Sequence, residues 1–351
     1  MRWLTLWLCL LSLPATAQEE RRSFGDAAAP VRLLVRSTTD IAVFGPVIDA
    51  YLATRPGLAV DYEQWGSNAL FDLSLADCSA DRAGADVVIS SGVHQMVQLV
   101  NNACAAPHVS SQTTALPAAL RWRDELWGIT REAAVMAYNR DLVPAGEVPL
   151  TRFDLLDLLR PPDSRYAGRV ATYDVEASGL GYLFAFSDAR EATTFGALLE
   201  SLGRTGAVAT CCSAEIIAGV AEGTYLIAYN VLGSYAQVAA QADPRIGIVL
   251  PQDYTLVLSR ALMIPKQAVH RQQAAALLDF LLSDAGRDVL TDVLLINPLT
   301  DKASAEERAP VSETALRPIG LSPALIVALD QQKRAQFIRR WRENFSRDVR
   351  P

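Results

Sequence analysis

Apolar positions along the chain fall into two alternating patterns. Short runs rich in β-branched residues, read as strands, occur over 31–35, 58–62 and 85–89. Between them apolar residues recur at three- and four-residue steps. Phe44, Val47, Ile48, Tyr51 and Leu52 predict a helix closed by Arg55-Pro56-Gly57, and further helices follow around 68–75 and over 93–100. Strand, loop and helix in this repeated order describe a parallel α/β sheet with helices on its faces. The middle of the chain behaves alike with other loops: strands are expected over 170–173, 225–229 and 246–250, a small-residue turn over 174–181 and a helix opening at 182–186.

One sheet of this length would exceed the usual domain size, so two α/β lobes are expected. Extended runs at 127–130 and 134–138, interrupted by Arg131-Glu132, read as a segment crossing between lobes, and the return crossing falls over 251–259. This assigns 30–130 together with 254–351 to one lobe and 131–253 to the other. Later amphipathic helices are expected over 272–282 and 323–341.

The start of the chain reads differently. Arg2 precedes an apolar run over 3–13, then Pro14 and the small-residue ending Ala15-Thr16-Ala17, the pattern of a signal peptide over 1–17 cleaved before Gln18. The run is shorter than the roughly 20 apolar residues a bilayer span needs. Export without an anchor implies a periplasmic or extracellular product.

The 351 residues are 50 % apolar and 20 % charged, within the range of foldable globular chains. Lys and Arg (32) against Asp and Glu (39) leave a net charge of −7, which argues against a nucleic-acid binder working through a basic surface. Beyond the leader the cysteines are Cys78, Cys104, Cys211 and Cys212. In an oxidising compartment Cys78 pairs naturally with Cys104, a loop whose closure stabilises by about 3 kcal/mol in the chain-entropy model. Adjacent cysteines bond only through a strained ring, so Cys211 and Cys212 are expected as buried thiols. With three histidines and no C-x-x-C spacing, no structural metal site is expected.

The same scarcity weighs against an enzyme: there is no G-x-S-x-G after a strand and no H-E-x-x-H. The loops at the carboxyl ends of the strands carry the candidate chemistry instead, because open α/β sheets bind ligands there. Thr38, Thr39 and Asp40 follow the first strand, Ser90 and Ser91 the third, and Ser178 and Gly179 precede the middle helix, with Thr172 in the strand before it. Hydroxyls and backbone N–H groups at helix N-termini can cradle a small polar solute, an anion above all. Each of these residues can also be a plain N-cap. Arg131 at the lobe joint either meets an anionic ligand or pairs with Glu132 or Asp124. Tyr229, Asn230 and Tyr235, after a later strand, either contact ligand or pack and cap. No cofactor is expected.

In order along the chain stand S-T-T-D at 37–40, D-V-V-I-S-S-G at 86–92, G-I-T-R-E-A-A-V-M-A-Y-N-R-D at 128–141, S-G-L-G-Y at 178–182 and Y-N-V-L-G-S-Y at 229–235. Together they resemble the type II periplasmic solute-binding proteins of ABC transporters, and within them the branch of the ferric-ion-binding proteins. The resemblance implies two α/β lobes joined by two crossing strands and closing on ligand by a hinge motion. It implies a monomer serving either an inner-membrane ABC permease or, as the alternative, a sensor kinase. Ferric-binding members carry two consecutive tyrosines after the second-lobe strand, where this chain has Val231-Leu232. Ferric iron therefore stands as an alternative cargo, with Asp40, Tyr229 and Tyr235 as its oxygen donors.

Overall fold

The computed structural model describes residues 18–296 and 313–345, so the leader expected over 1–17 lies outside the described residues. The first segment runs β1 (Gln18–Gly25), β2 (Val31–Ser37), α1 (Ile41–Ala53), β3 (Leu58–Trp65), α2 (Ser67–Ser79), β4 (Val87–Ser90) and α3 (Val93–Asn101). After α4 (Ser111–Ala115) come β5 (Arg121–Trp122), β6 (Leu126–Gly128) and the long β7 (Glu132–Asn139). The middle segment continues with α5 (Arg152–Leu159), β8 (Val170–Tyr173), α6 (Gly179–Glu191), α7 (Phe195–Arg204), β9 (Val208–Thr210) and α8 (Ser213–Ala221). It closes with β10 (Ile227–Leu232), α9 (Gly233–Ala242) and β11 (Ile246–Val249). The return is β12 (Thr255–Leu258) and β13 (Ala261–Met263), followed by α10 (Arg271–Leu282), α11 (Asp284–Asp292), β14 (Leu316–Pro318) and α12 (Gln331–Asn344).

These strands form two mixed seven-stranded sheets. The first has the order β1-β3-β2-β4-β13-β6-β5, the second β14-β12-β7-β10-β8-β9 with β11 also on β7. Each contains a parallel core, β3-β2-β4 in one and β10-β8-β9 in the other, as the alternation of strands and helices requires. The chain leaves the first sheet after β6 and returns after β12, and the two crossings lie side by side. Ile129 N–H donates to the Arg260 carbonyl at 2.9 Å and Arg260 N–H to Thr130 Oγ1 at 2.8 Å.

Apolar packing follows the helical periodicity. Phe44, Val47, Ile48, Leu277, Leu278, Leu281 and Leu290 close one face of the first sheet. A second core runs on across both sheets, with Val93, Met96, Val97 and Val100 in one cluster with Leu183, Phe184 and Val231.

Two elements differ from the sequence expectation. Strand β1 pairs antiparallel with β3, although its residues are polar and only Phe24 is buried; an edge strand needs backbone pairing rather than an apolar face, so hydrophobic pattern does not reveal it. The helix expected over 323–341 is broken at Asp330, whose carboxylate accepts from Lys333 N–H at 2.9 Å and caps α12. That helix packs on α7 of the middle segment, Phe337 and Trp341 clustering with Phe195 and Leu199, whereas the expected division had put all of 254–351 with the first.

Cys78 and Cys104 are bonded, Cα atoms 5.3 Å apart, tying the end of α2 to the segment after α3. Cys211 and Cys212 are bonded as well, and Cys211 is exposed. Two buried thiols were expected there; the pair instead forms the loop ahead of α8, on the surface between strand and helix, where no apolar layer covers it. Replacing both Cys78 and Cys104 by Ala releases a loop with a sequence separation of 26 and is expected to cost about 3 kcal/mol. Urea unfolding measures this, and a loss below about 1 kcal/mol would mean that the cross-link does not constrain the unfolded chain.

Candidate functional site

The carboxyl ends of the parallel strands in both sheets open on one cleft of about 330 Å³. One wall carries Thr38 and Asp40 after β2, Ser91 after β4, Gln64 and Trp65 at the end of β3, and Ser67 at the start of α2. The other carries Tyr173 and Ser178 around the β8–α6 loop, Cys211, Cys212, Ser213 and Glu215 at the start of α8, Leu232 at the end of β10 and Tyr235 in α9. Arg260 lines it at the crossing, and Glu19 of β1 at its edge.

The loops of the first wall are fastened to each other. Thr38 Oγ1 lies 3.1 Å from Ser91 Oγ and accepts from Ser91 N–H at 2.9 Å. Gln64 donates to Glu19 at 2.9 Å and to Asp40 at 3.3 Å, and its carbonyl accepts from Ile41 N–H. Across the cleft, Tyr235 O–H donates to Asp40 at 3.0 Å, Gly179 N–H to Ser67 Oγ at 2.9 Å, and the Asn68 amide to the Glu176 carbonyl at 2.9 Å. The walls therefore touch. The approach at Gly179 is close enough that a Cβ there would stand 2.6 Å from Gln95 Oε1.

The Arg260 side chain is 1 % exposed and that of Glu132 fully buried. Nε and Nη2 donate to the two Glu132 oxygens at 2.8 and 3.2 Å, and Nη1 donates to Thr39 Oγ1 at 3.0 Å. Ser234 of α9 and Thr130 also donate to Glu132. Every acceptor site on this carboxylate is engaged, as a buried charge demands. Burial pushes the Tyr235 phenol well up despite the neighbouring guanidinium, and the Tyr173 phenol up to about 12. Both stay protonated and act as hydrogen-bonding hydroxyls.

Thr38, Asp40, Ser91 and Ser178 thus stand in the cleft wall. Ser178 also caps α6, its Oγ accepting from Gly181 N–H at 3.0 Å. Thr39 and Ser90 lie buried behind the wall, Ser90 Oγ taken by Gly92 N–H and Thr39 by Arg260; Gly179 meets Ser67 as described. Four expected residues lie elsewhere. Arg131 is on the crossing segment, its N–H donating to the Leu295 carbonyl; the guanidinium in the cleft lining is Arg260. Thr172 donates to the Tyr229 carbonyl at 3.1 Å. Tyr229 and Asn230 close on Asp188 at 2.7 and 2.8 Å, together with Tyr254 and Arg152. The reason is a bulge. The pairing of β10 with β7 shifts between Ala228 and Val231, and Asn230 takes a left-handed φ of 63°, which Asn tolerates better than most residues. The bulge re-aims the strand end, so that Asn230 is buried with Asp188 while Leu232 reaches the cleft.

Arg260 did leave a signal in the sequence: it is the lone charge in the run 255–264, and a charge inside an otherwise apolar run needs a partner once that run is buried. Trp65, Gln64 and the α8 loop left none.

His94 lies between α3 and α6, its ring 5.8 Å from that of Tyr182. Both its nitrogens lack a hydrogen-bond partner among the described residues, and burial pushes its pKa down to about 3. The native state keeps the ring neutral, whereas the unfolded chain protonates it below about 6.5. This contribution is complete above that pH and lost as pH falls toward 3, so stability should decline by about 1.4 kcal/mol per pH unit between pH 6 and 4. His94→Leu is expected to flatten that slope in urea unfolding followed against pH; an unchanged slope would place the titration on another group. Separately, Glu132→Gln leaves Arg260 buried without its countercharge and should cost about 3–5 kcal/mol. A parent-like urea midpoint would show the pair to be dispensable.

Residues 37–288 match the profile of a family described as bacterial extracellular solute-binding protein. Among solved structures, the chain is similar to the substrate-binding protein of an ABC transporter from Agrobacterium tumefaciens: 30 % identity, 94 % of this chain and 100 % of that one, TM-score 0.86. It also shares the fold of AfuA from Actinobacillus pleuropneumoniae, with fructose-6-phosphate bound, at 16 % identity over 91 % of this chain and 99 % of that one, TM-score 0.70. Iron-bound HitA from Pseudomonas aeruginosa aligns at 16 % identity over 90 % and 99 %, TM-score 0.68. No curated protein matches the chain.

Proposed function

The chain belongs to the bacterial extracellular solute-binding proteins of ABC transporters, and from that premise we propose that it captures a small polar solute between its two sheets and presents it to an inner-membrane permease. The observation that carries this reading is the cleft itself. Loops from both sheets, rich in hydroxyls, meet there around a desolvated guanidinium, the arrangement by which directed hydrogen bonds select a small ligand. We take the lobes to be 30–130 with most of 254–351, and 131–253, turning about the crossings near 129–131 and 259–260. The periplasm follows from the leader expected over 1–17, and among the described residues no helix is long and apolar enough to cross a membrane.

Charge narrows the solute. An anion was expected from the helix N-termini, but Glu19, Asp40 and Glu215 bring three carboxylates to the lining, and Arg260 is already neutralised by Glu132. This balance favours a neutral hydroxyl-rich or cationic solute over an anionic one. Ferric iron is less well served. Tyr229 is committed to Asp188, and at the position of the tandem tyrosines Leu232 presents an alkyl group to the cleft.

Native mass spectrometry of the exported protein should release a neutral or cationic small molecule; a bound polyanion would overturn the charge argument. With that molecule, Thr38→Val and Ser91→Ala should each cost about 1–3 kcal/mol of affinity, roughly 5- to 150-fold, by calorimetry. Asn230→Ala should leave affinity within about twofold while lowering stability, since a buried carboxylate loses one donor. Parent affinity in both hydroxyl variants, with the fold intact, would move the solute out of this cleft.

A further inference from the structure

The loop ahead of α8 and the first turn of that helix bring two sulfurs and a carboxylate to the cleft wall. Cys211 and Cys212 are bonded to each other, and one turn on, Glu215 reaches back until its Oε2 lies 3.5 Å from Cys211 Sγ. One donor atom from each of the three lies within 4.8 Å of the others, and Cys211 and Glu215 are exposed. We propose that reduction of this bridge creates a site, open to the cleft, for one thiophilic divalent cation of the zinc–cadmium class, held by both thiolates and Glu215.

The chemistry of the donors selects the cation. Two thiolates exclude hard ions such as magnesium or calcium and suit zinc or cadmium. Zinc–sulfur distances of about 2.3 Å and zinc–oxygen distances of about 2.0–2.2 Å set sulfur–sulfur separations of roughly 3.7 Å and sulfur–oxygen separations of roughly 3.5 Å in a tetrahedral site, so the two sulfurs move apart once their bond is reduced, while Glu215 already stands 3.5 Å from Cys211. Three protein ligands, all in the cleft lining, leave a fourth tetrahedral position for water or a solute group. The N-terminus of α8 adds a partial positive charge that favours the thiolate forms.

The redox step balances with a dithiol reductant. One reductant thiolate attacks the exposed Cys211 Sγ, the Cys211–Cys212 bond breaks, and Cys212 departs as a thiolate. The second reductant thiol then displaces Cys211 from the mixed disulfide. The reductant leaves as its own disulfide, having passed two electrons to the cysteine pair. Binding of the cation keeps both cysteines deprotonated and releases to water any proton they had taken up. The other bridge is the less accessible one, with Cys104 buried and Cys78 half-buried where Cys211 is exposed, so a limiting dithiol reaches Cys211–Cys212 first.

The test uses the exported protein, treated anaerobically with limiting dithiol, freed of reductant and titrated with Cd²⁺ while the ultraviolet thiolate-to-cadmium charge-transfer band is followed. The expected result is two free thiols and a band saturating at one Cd²⁺ per chain, absent from the oxidised protein and from C211S/C212S. E215Q, altered at an exposed position, should keep the band and weaken Cd²⁺ binding about tenfold or more. Failure to release two thiols, two thiols without a band, a band that persists in C211S/C212S, or E215Q binding as the parent would each overturn the three-ligand site. Solute affinity is measured on the oxidised protein, so the proposed function stands or falls separately.

Discussion

The arrangement of the cleft depends on a charge that cannot be left alone. Arg260 and Glu132 are withdrawn from water at the point where the two crossings run side by side, and a desolvated ion is tolerated only when its partner and its remaining hydrogen bonds are all in place. Meeting that demand recruits both walls. The guanidinium takes Thr39 and the Thr38 carbonyl from the loop after β2, and the carboxylate takes Thr130 from the crossing and Ser234 from α9. The loops of two lobes are thereby positioned from one place at the base of the cleft, next to the hinge we propose.

A second buried carboxylate does comparable work behind the second sheet. Asp188 accepts from Arg152, Tyr229, Asn230 and Tyr254, joining α5, α6, β10 and the approach to β12. Its role is to hold the strand end whose bulge aims Leu232 outward. Tyrosine and asparagine after a strand are common ligand contacts, and here the bulge converts them into internal support.

Neutralisation of Arg260 has a consequence for recognition. A guanidinium already paired with a carboxylate retains directed donors but little net field, and the carboxylates of Glu19, Asp40 and Glu215 then dominate the lining. In the function we propose, selectivity passes from charge attraction to hydroxyl geometry: Thr38 and Ser91 bonded to each other, Ser178 at a helix cap, Tyr235 bridging to Asp40. The same negative surroundings and the exposed sulfurs of the α8 loop are consistent with a cation approaching that wall.

Local pattern alone determined a good deal of this protein. The parallel alternation, the crossing at 127–138, the Cys78–Cys104 pairing and the hydroxyl loops at Thr38, Ser91 and Ser178 all follow from periodicity, compartment and the rule that ligands meet strand carboxyl ends, because each is set by residues near one another in sequence or by a compositional rule. Tertiary structure decided the rest. Whether Arg131 or Arg260 enters the cleft depends on which of two adjacent crossings faces inward, and Arg260 wins because only its side can reach Glu132, Thr38 and Thr39 together. Whether Tyr229 and Asn230 face solute or core turns on a bulge and on Asp188, forty-one and forty-two positions away. The polar strand β1 exists because β3 offers it backbone partners, and α12 crosses to α7 because Phe337 and Trp341 find apolar neighbours there. Such choices are made by groups distant in the chain competing for burial and for the last unsatisfied hydrogen bond, and no window of sequence contains both competitors.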